Sequence, residues 1–298
     1  MKHETVLLHE AIKYLNVDKD KIYVDATLGG AGHSKKIVEL LDKGFLFCFD
    51  QDEFAVKYAQ EILKTSKNYE IIQANFKNIT EELEDRGIEK VDGILFDLGM
   101  SSFQIDDISR GFSYMYDTNL DMRMNINNPI TAETILNTYS KEEIAKILYL
   151  YGEEKNSYKI ADEIIKNRPL KTTFDLVKIT DKINRKEKGH SAKKSFQALR
   201  IYVNDEMNVL EEALNKASKL INKGGRIVII TFHSLEDRLV KHFFKKLSTV
   251  DIPKNLPITG DLKGDFEVIT KKPIYPSEEE MENNSRSRSA KLRVIEKL

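Results

Sequence analysis

The alternation of short apolar runs with amphipathic stretches in the first hundred residues constrains the fold most. Apolar runs at 22–26, 45–49, 69–72 and 91–96 predict four short strands. Between the first three of them, apolar residues recur at helical spacing, at 37–41 and at 54–62. Strands that alternate with helices form parallel sheets, because a parallel pair needs a long crossover connection. The sequence therefore predicts an α/β fold.

The alternating pattern breaks after Asp97, where glycines, serines and paired aspartates predict a long polar loop. Helical spacing dominates residues 131–180, with a capping-box pattern at Ser140-x-x-Glu143 and another at Thr172-x-x-Asp175. Further along we expect one long helix at 196–221, strands at 226–232, 266–270 and 292–296, and a polar surface loop at 277–289. The prediction is a sheet domain formed by residues 1–105 and 201–298, interrupted by a helical insertion at 106–200.

Composition excludes several classes of protein. Apolar residues make up 41% and charged residues 32% of the chain, which is typical of a globular protein and not of a disordered one. No apolar stretch is long enough to span a membrane, and the lone Cys48, within an apolar run, predicts a small buried side chain and a reducing, cytoplasmic location. Scattered histidines and one cysteine predict no metal site. A net charge of −1 leaves only local patches for binding nucleic acid.

The glycine-rich segment 25–34, Asp-Ala-Thr-Leu-Gly-Gly-Ala-Gly-His-Ser, lies where the first strand meets the first crossover helix. Glycines in such a turn allow the backbone to approach a ligand, but Lys35 stands where the dinucleotide fingerprint starting at Gly30 and Gly32 needs a third glycine. Asp50 ends the second strand, where a carboxylate can accept both ribose hydroxyls of a nucleoside. The alternative is a purely structural turn, with Asp50 capping the helix that begins near Asp52.

Asp97 ends the fourth strand, at the sheet edge where ligands of open α/β sheets bind, and the less favoured alternative is an aspartate that caps a loop. The segment 231–237, Thr-Phe-His-Ser-Leu-Glu-Asp, contains the residue types of a Ser-His-Asp hydrolase but not the glycines of a nucleophile elbow. Ser234 and Asp237 instead have capping-box spacing, which leaves His233 as a candidate to line the site.

Two basic clusters could contact phosphates, although solvated surface charge explains most such runs. The first comprises Lys182, Arg185, Lys186, Lys188, Lys193 and Lys194, and the second comprises Arg286, Arg288, Lys291 and Arg293.

Taken together, these stretches resemble the bacterial small-subunit ribosomal RNA cytosine-N4 methyltransferase family over nearly the whole chain. The resemblance rests on residues 3–11 (His-Glu-Thr-Val-Leu-Leu-His-Glu-Ala), the glycine turn, 92–99 (Asp-Gly-Ile-Leu-Phe-Asp-Leu-Gly), 110–113 (Arg-Gly-Phe-Ser), 120–124 (Leu-Asp-Met-Arg-Met), 196–200 (Phe-Gln-Ala-Leu-Arg) and 232–238 (Phe-His-Ser-Leu-Glu-Asp-Arg). So many separated matches are more specific than any single glycine loop.

The resemblance implies a Rossmann-like class I methyltransferase sheet with an inserted small helical domain. It implies S-adenosylmethionine as cofactor, held by Gly30, Ala31, Gly32, His33, Asp50, Phe76, Asp97 and Gln104. It also implies 16S ribosomal RNA of the small subunit as partner, methylated on the exocyclic nitrogen of a decoding-region cytosine, with no DNA or membrane partner. Candidate RNA contacts are Ser101, Ser102, Arg123, Lys193, Lys194, His233, Arg286 and Arg288, and Asp97 is the candidate catalytic proton acceptor.

The chain departs from the family pattern in two places. Phe103 stands where a proline is expected before Gln104, and Lys193-Lys194 replace a threonine-arginine pair. Other readings are a methyltransferase for another RNA base, DNA or protein, and a ribosome-assembly factor that binds RNA without catalysis. Mass spectrometry of nucleosides distinguishes the other methyltransferases from a cytosine-N4 enzyme. Calorimetry with S-adenosylmethionine distinguishes an assembly factor, which would not bind the cofactor, from an enzyme. The sequence leaves open whether the protein is a monomer or a homodimer, and which proteins bind it.

Overall fold

The computed structural model describes residues 5–100, 107–185, 189–250 and 264–298. The chain divides into two compact units. The sheet unit comprises Met1–Ser101 and Val209–Leu298, and the helical unit comprises Ser102–Asn208.

One seven-stranded sheet forms the centre of the sheet unit. Its strands are β1 (Ile22–Asp25), β2 (Phe45–Phe49), β3 (Tyr69–Ile72), β4 (Val91–Asp97), β5 (Ile221–Thr231), β6 (Phe266–Val268) and β7 (Lys291–Lys297). They lie in the order β3-β2-β1-β4-β5-β7-β6, and every pair from β3 to β5 is parallel, whereas β7 is antiparallel to both neighbours. The predicted α/β, Rossmann-like sheet is confirmed. Its strand order reverses between β1 and β4, where ligands bind in sheets of this kind.

Twelve α-helices are present in the described residues. They are α1 (Leu8–Leu15), α2 (Gly32–Val38), α3 (Glu53–Leu63), α4 (Ile79–Glu84), α5 (Ala132–Thr138), α6 (Lys141–Gly152), α7 (Ser157–Lys166), α8 (Thr173–Ile183), α9 (Lys193–Val203), α10 (Glu206–Leu220), α11 (Ser234–Ser248) and α12 (Glu278–Asn283). Short 3₁₀ turns at Phe76–Asn78, Ile108–Arg110 and Ser285–Ser289 complete the set. None of these helices is both long enough and apolar enough to cross a bilayer.

Apolar layers cover both faces of the sheet, because successive strand residues point to opposite faces. On one face Val24 and Phe47 pack with residues of α10 and α11. On the other face Tyr23, Leu46 and Cys48 pack with residues of α1, α2 and α3. Cys48 is buried and unpaired, as predicted. Burial on both faces explains why the central strands read as continuous apolar runs.

The helical unit has its own apolar core, to which α5 to α9 all contribute. Two of its helices begin at predicted capping boxes: Ser140 with Glu143 precedes α6, and Thr172 with Asp175 precedes α8. In each box the side chain of one residue accepts the backbone N–H of the other, which satisfies two N–H groups that a helix start leaves without partners.

The single helix predicted at 196–221 is wrong, because the chain breaks between α9 and α10. The side chain of Asn204 accepts the N–H of Met124 at 2.6 Å and donates to the carbonyl of Met122 at 2.8 Å. The next residue, Asp205, has a φ of +51°, which takes the backbone out of the helix. Apolar spacing continues through the break, so periodicity alone hides it.

The polar loop predicted at 277–289 is also wrong. Ser277 caps α12 by accepting the N–H of Glu280 at 3.1 Å, and a 3₁₀ turn follows the helix. Three glutamates occupy the first turn, where the helix dipole favours negative charge. The spacing of Ser277 and Glu280, which is that of a capping box, could have predicted the start of this helix. The largest differences in strand bounds are that β5 begins at Ile221, five residues early, and that β6 ends at Val268, two residues early.

Candidate functional site

The turn after β1 connects the strand to α2 through two left-handed residues. Gly29 has a φ of +45°, and Ala31, the N-cap of α2, has a φ of +59°. Gly32 is required by packing, since a Cβ there would lie 1.7 Å from Thr5 Oγ1. The glycine at position 32 of the predicted turn is therefore required because Thr5, near the N-terminus, packs against it.

Replacing Gly32 with alanine is expected to destabilise the fold by about 1–3 kcal/mol, the usual cost of overpacking a closely packed position. Urea unfolding measures this change. Lys35→Ala, at an exposed position of the same helix, is the matched control and should leave stability within about 0.5 kcal/mol of the wild type. Equal stability of G32A and wild type would contradict the close approach of Thr5.

Asp25, the last residue of β1, is a buried carboxylate that the sequence interpretation did not count among the site residues. It accepts the Ser34 hydroxyl at 2.6 Å and the Thr27 N–H at 3.1 Å, so it ties the turn and the start of α2 to the strand. Burial raises its pKa. Its position at the end of a strand was the signal that could have identified it.

Asp50 connects the end of β2 to the same turn. Its Oδ2 accepts the N–H of Gly29 at 2.9 Å, and its Oδ1 accepts the N–H of Asp52 at 2.9 Å. Asp52, not Asp50, caps α3 by accepting the N–H of Phe54. A carboxylate offers about four lone-pair positions, so Asp50 keeps capacity to accept further hydrogen bonds. Burial raises its pKa to about 6.

Asp97 ends β4, beside the reversal in strand order. Its backbone N–H donates to Thr27 Oγ1 at 2.6 Å, and its Oδ2 lies 3.7 Å from Nδ1 of the buried His33. Its Oδ1 is buried without a hydrogen-bond partner among the described residues. Burial, with the nearby negative charges of Asp25 and Glu236, raises the pKa of Asp97 to about 7. A carboxyl group with this pKa can exchange a proton near neutral pH.

An aromatic group follows β3 at the same edge. Phe76 lies in the 3₁₀ turn after the strand and contacts Phe96 edge to face, with ring centroids 5.7 Å apart. The preceding Asn75 donates from its side chain to Gln51 Oε1 at 2.9 Å. The ends of β2 and β3 are thereby joined next to an apolar ring.

The capping box predicted at Ser234 and Asp237 is wrong, because the cap lies one residue earlier. His233 Nδ1 accepts the N–H of Glu236, and Glu236 Oε2 accepts the N–H groups of Phe232 and His233. Asp237 forms ion pairs with Arg293 at 2.6 Å and Lys291 at 3.3 Å. His233 thus lies at the end of β5 with its ring fixed by the start of α11.

The remaining predicted site residues lie in different parts of the chain. Ser101, Ser102 and Gln104 lie outside the described residues. Arg123 has a structural role: its guanidinium pairs with Asp121 and donates to the carbonyls of Ile126 and Asn128. Lys193 and Lys194 begin α9 in the helical unit, whereas Arg286 and Arg288 are exposed in the 3₁₀ turn of the sheet unit.

The strand-end site therefore consists of the turn 29–32, His33, Asp50, Phe76 and Asp97 at the carboxyl ends of β1 to β4. It presents a carboxylate with spare acceptor positions, an aromatic ring, and a second carboxylate with an unpartnered buried oxygen. Such an arrangement can bind a nucleoside and polarise an N–H group.

Comparison with known proteins gives concordant results. A family model described as the MraW methylase family matches residues 1–298. The chain is 57% identical to "Ribosomal RNA small subunit methyltransferase H 1" of Acholeplasma laidlawii, a match covering 100% of this chain and 99% of the relative. It is 54% identical to "Ribosomal RNA small subunit methyltransferase H" of Onion yellows phytoplasma (99% and 97% covered), and 51% identical to the protein of that name from Finegoldia magna (100% and 99% covered). The resemblance seen in the sequence is confirmed, and the chain belongs to the MraW methylase family.

Proposed function

We propose that this enzyme transfers the methyl group of S-adenosylmethionine to the exocyclic N4 of a cytosine in the decoding region of 16S ribosomal RNA. The observation that carries this proposal is the full-length similarity to proteins named small-subunit ribosomal RNA methyltransferases. The strand-end site supports it, because an adenosine-bearing cofactor fits the groups placed there.

The chemical groups of the strand-end site match those of the cofactor. Asp50 has acceptor positions for the two ribose hydroxyls, and Phe76 offers an apolar surface beside it. The negative charge of Asp97 complements a positive sulfonium. The cofactor supplies a methyl group already activated by that sulfonium, so the protein chiefly has to position the acceptor, which can lower the barrier by several kcal/mol.

Asp97 has the properties of a proton acceptor for the cytosine amine. This amine is a poor nucleophile, because its lone pair is delocalised into the ring. The unpartnered Oδ1 can accept one amine N–H and stabilise the positive charge that develops on nitrogen during methyl transfer. Nδ1 of His33 lies 3.7 Å from the other oxygen of the carboxylate. The target base must leave its stack to reach the site, as enzymes acting on bases commonly require.

The proposal is tested by incubating the purified protein with isotope-labelled S-adenosylmethionine and small ribosomal subunits, then identifying the labelled nucleoside by mass spectrometry. N4-methylcytidine in a decoding-region fragment is the expected product. Label in another base, in protein, or in no product would contradict the proposal.

The pH dependence of kcat/KM is expected to follow the ionisation of Asp97. The pKa of about 7 means that the carboxyl group is mostly protonated at pH 6 and mostly ionised at pH 8. Because only the ionised form accepts a proton, kcat/KM should rise about tenfold for each pH unit below 7 and level off above it. An initial-rate profile from pH 5.5 to 9 measures this. A flat profile below pH 7 would contradict the assignment.

A further inference from the structure

A basic cleft lies on the sheet unit between α11 and the segment around β6 and β7. Lys241, Lys245, Lys271 and Arg293 are half of its eight lining residues, and none of the eight is acidic. The hydroxyl-bearing Ser248 and Thr270 also line it. The three lysines of this cleft belong to neither of the two basic clusters noted in the sequence. Arg293 is also a member of the second cluster.

The lysines of the cleft have no charge partner among the residues that the structure describes. Lys241, Lys245 and Lys271 are exposed, and their ammonium groups form no ion pair or hydrogen bond with any described residue. Arg293, by contrast, is neutralised by Asp237 at 2.6 Å. Lys241 and Lys245 are four positions apart on α11, an arrangement of like charges that destabilises a helix by a few tenths of a kcal/mol. An anion in the cleft would remove that repulsion.

The helix that carries two of these lysines starts just after β5, whose end lies beside Asp97 of the strand-end site. His233 caps α11 at the end of β5, and Lys241 lies seven residues beyond Ser234, about 10 Å along the helix axis. The exposed Arg238 lies between them, three residues before Lys241. Positive groups at i, i+3 and i+7 thus form a stripe that leads from the strand-end site towards the cleft.

We propose that this cleft binds the sugar-phosphate backbone of the RNA substrate, at nucleotides flanking the base that enters the strand-end site. The inference rests on the proposed function for the identity of the polyanion. With a net charge of −1, the protein has no global field to attract RNA, so the attraction must come from local cations such as Lys241, Lys245 and Lys271, which have no charge partner in the described part of the chain.

The test compares the triple variant K241Q/K245Q/K271Q with the wild type, each loaded with S-adenosylhomocysteine. Binding of a fluorescein-labelled decoding-region fragment of 16S ribosomal RNA is followed by anisotropy from 50 to 300 mM KCl. We expect about tenfold weaker binding at the lower salt concentrations. We also expect a log Kd against log salt slope that is smaller by about 2, since each phosphate contact contributes about 0.7 with single strands.

The matched control is K43Q/K67Q/K223Q, which removes three exposed lysines near the amino ends of β2, β3 and β5 and makes the same change in net charge. This variant should bind RNA like the wild type. Calorimetry should give all three proteins the same affinity for S-adenosylhomocysteine, which shows that the site is intact. An unchanged slope in the cleft variant, or an equal loss in the control, would overturn the inference.

Methyl transfer to the same fragment separates this inference from the proposed function. If the cleft binds RNA, the variant should have an RNA KM raised about tenfold with kcat nearly unchanged. If the wild type methylates RNA and the cleft variant has an unchanged KM for RNA, the cleft inference is contradicted and the proposed function is not. If the cleft variant binds RNA more weakly than the wild type but the wild type methylates no cytosine, the proposed function is contradicted and the cleft inference is not.

Discussion

Replacing Asp97 with asparagine is expected to lower kcat at least 100-fold at pH 8 while S-adenosylmethionine still binds. The amide has nearly the shape of the carboxylate but no negative charge with which to stabilise the nitrogen as it becomes positive. A positioned proton acceptor typically contributes 10²- to 10⁴-fold to the rate. Single-turnover methyl transfer measures the loss, and calorimetry with the cofactor measures binding.

Stability measurements on the same variant show whether lost activity reflects unfolding. The folded-state pKa of Asp97 is about 7, above its ordinary value of 3.8, so ionisation opposes folding and this cost grows as pH rises towards 7. Asparagine removes that cost, so D97N should be more stable than wild type at pH 8 and similar to it near pH 4. Full turnover of a folded, cofactor-binding D97N would exclude Asp97 as the proton acceptor.

Replacing Asp50 with alanine is expected to weaken S-adenosylmethionine binding at least 100-fold. Two hydrogen bonds to a charged acceptor are lost, each contributing about 1.5–3 kcal/mol, and 1.4 kcal/mol corresponds to a factor of ten. The N–H groups of Gly29 and Asp52 also lose their acceptor, which loosens the turn before α2. Isothermal titration calorimetry measures the affinity.

Asp52→Ala is the matched control for this variant. It removes the cap of α3 only two residues away, at a cost of about 1 kcal/mol in stability, but leaves the Asp50 carboxylate in place. Its cofactor affinity should stay within about twofold of the wild type. Equal losses of affinity in D50A and D52A would mean that the effect comes from a disturbed turn and not from contacts to ribose.

Local patterns predicted most of the sheet, because strands buried on both faces give continuous apolar runs such as Phe45–Phe49. What the sequence concealed depended on contacts distant along the chain. The break before α10 arises from Asn204 bonding to residues about 80 positions earlier. Periodicity carries no information about such a contact, whereas the cap of α12 was visible in the spacing of Ser277 and Glu280.

The site residues that could be predicted from the sequence are those that lie at the ends of predicted strands. Asp50 and Asp97 follow directly from the ends of β2 and β4, since parallel strands end at one edge. Their hydrogen bonds did not follow, and neither did the cap by His233, because Ser234 and Asp237 had equally suitable spacing. Arg123 shows another limit of motif reading, since the structure pairs this cation with Asp121 two residues away, a contact that the motif did not indicate.

A crystal structure of the protein with S-adenosylhomocysteine tests the central claim most directly. Both ribose hydroxyls should lie within about 3.2 Å of the carboxylate oxygens of Asp50, with the sulfur on the Asp97 side of the turn at 29–32. A nucleoside found anywhere other than the carboxyl ends of β1, β2 and β4 would contradict the account.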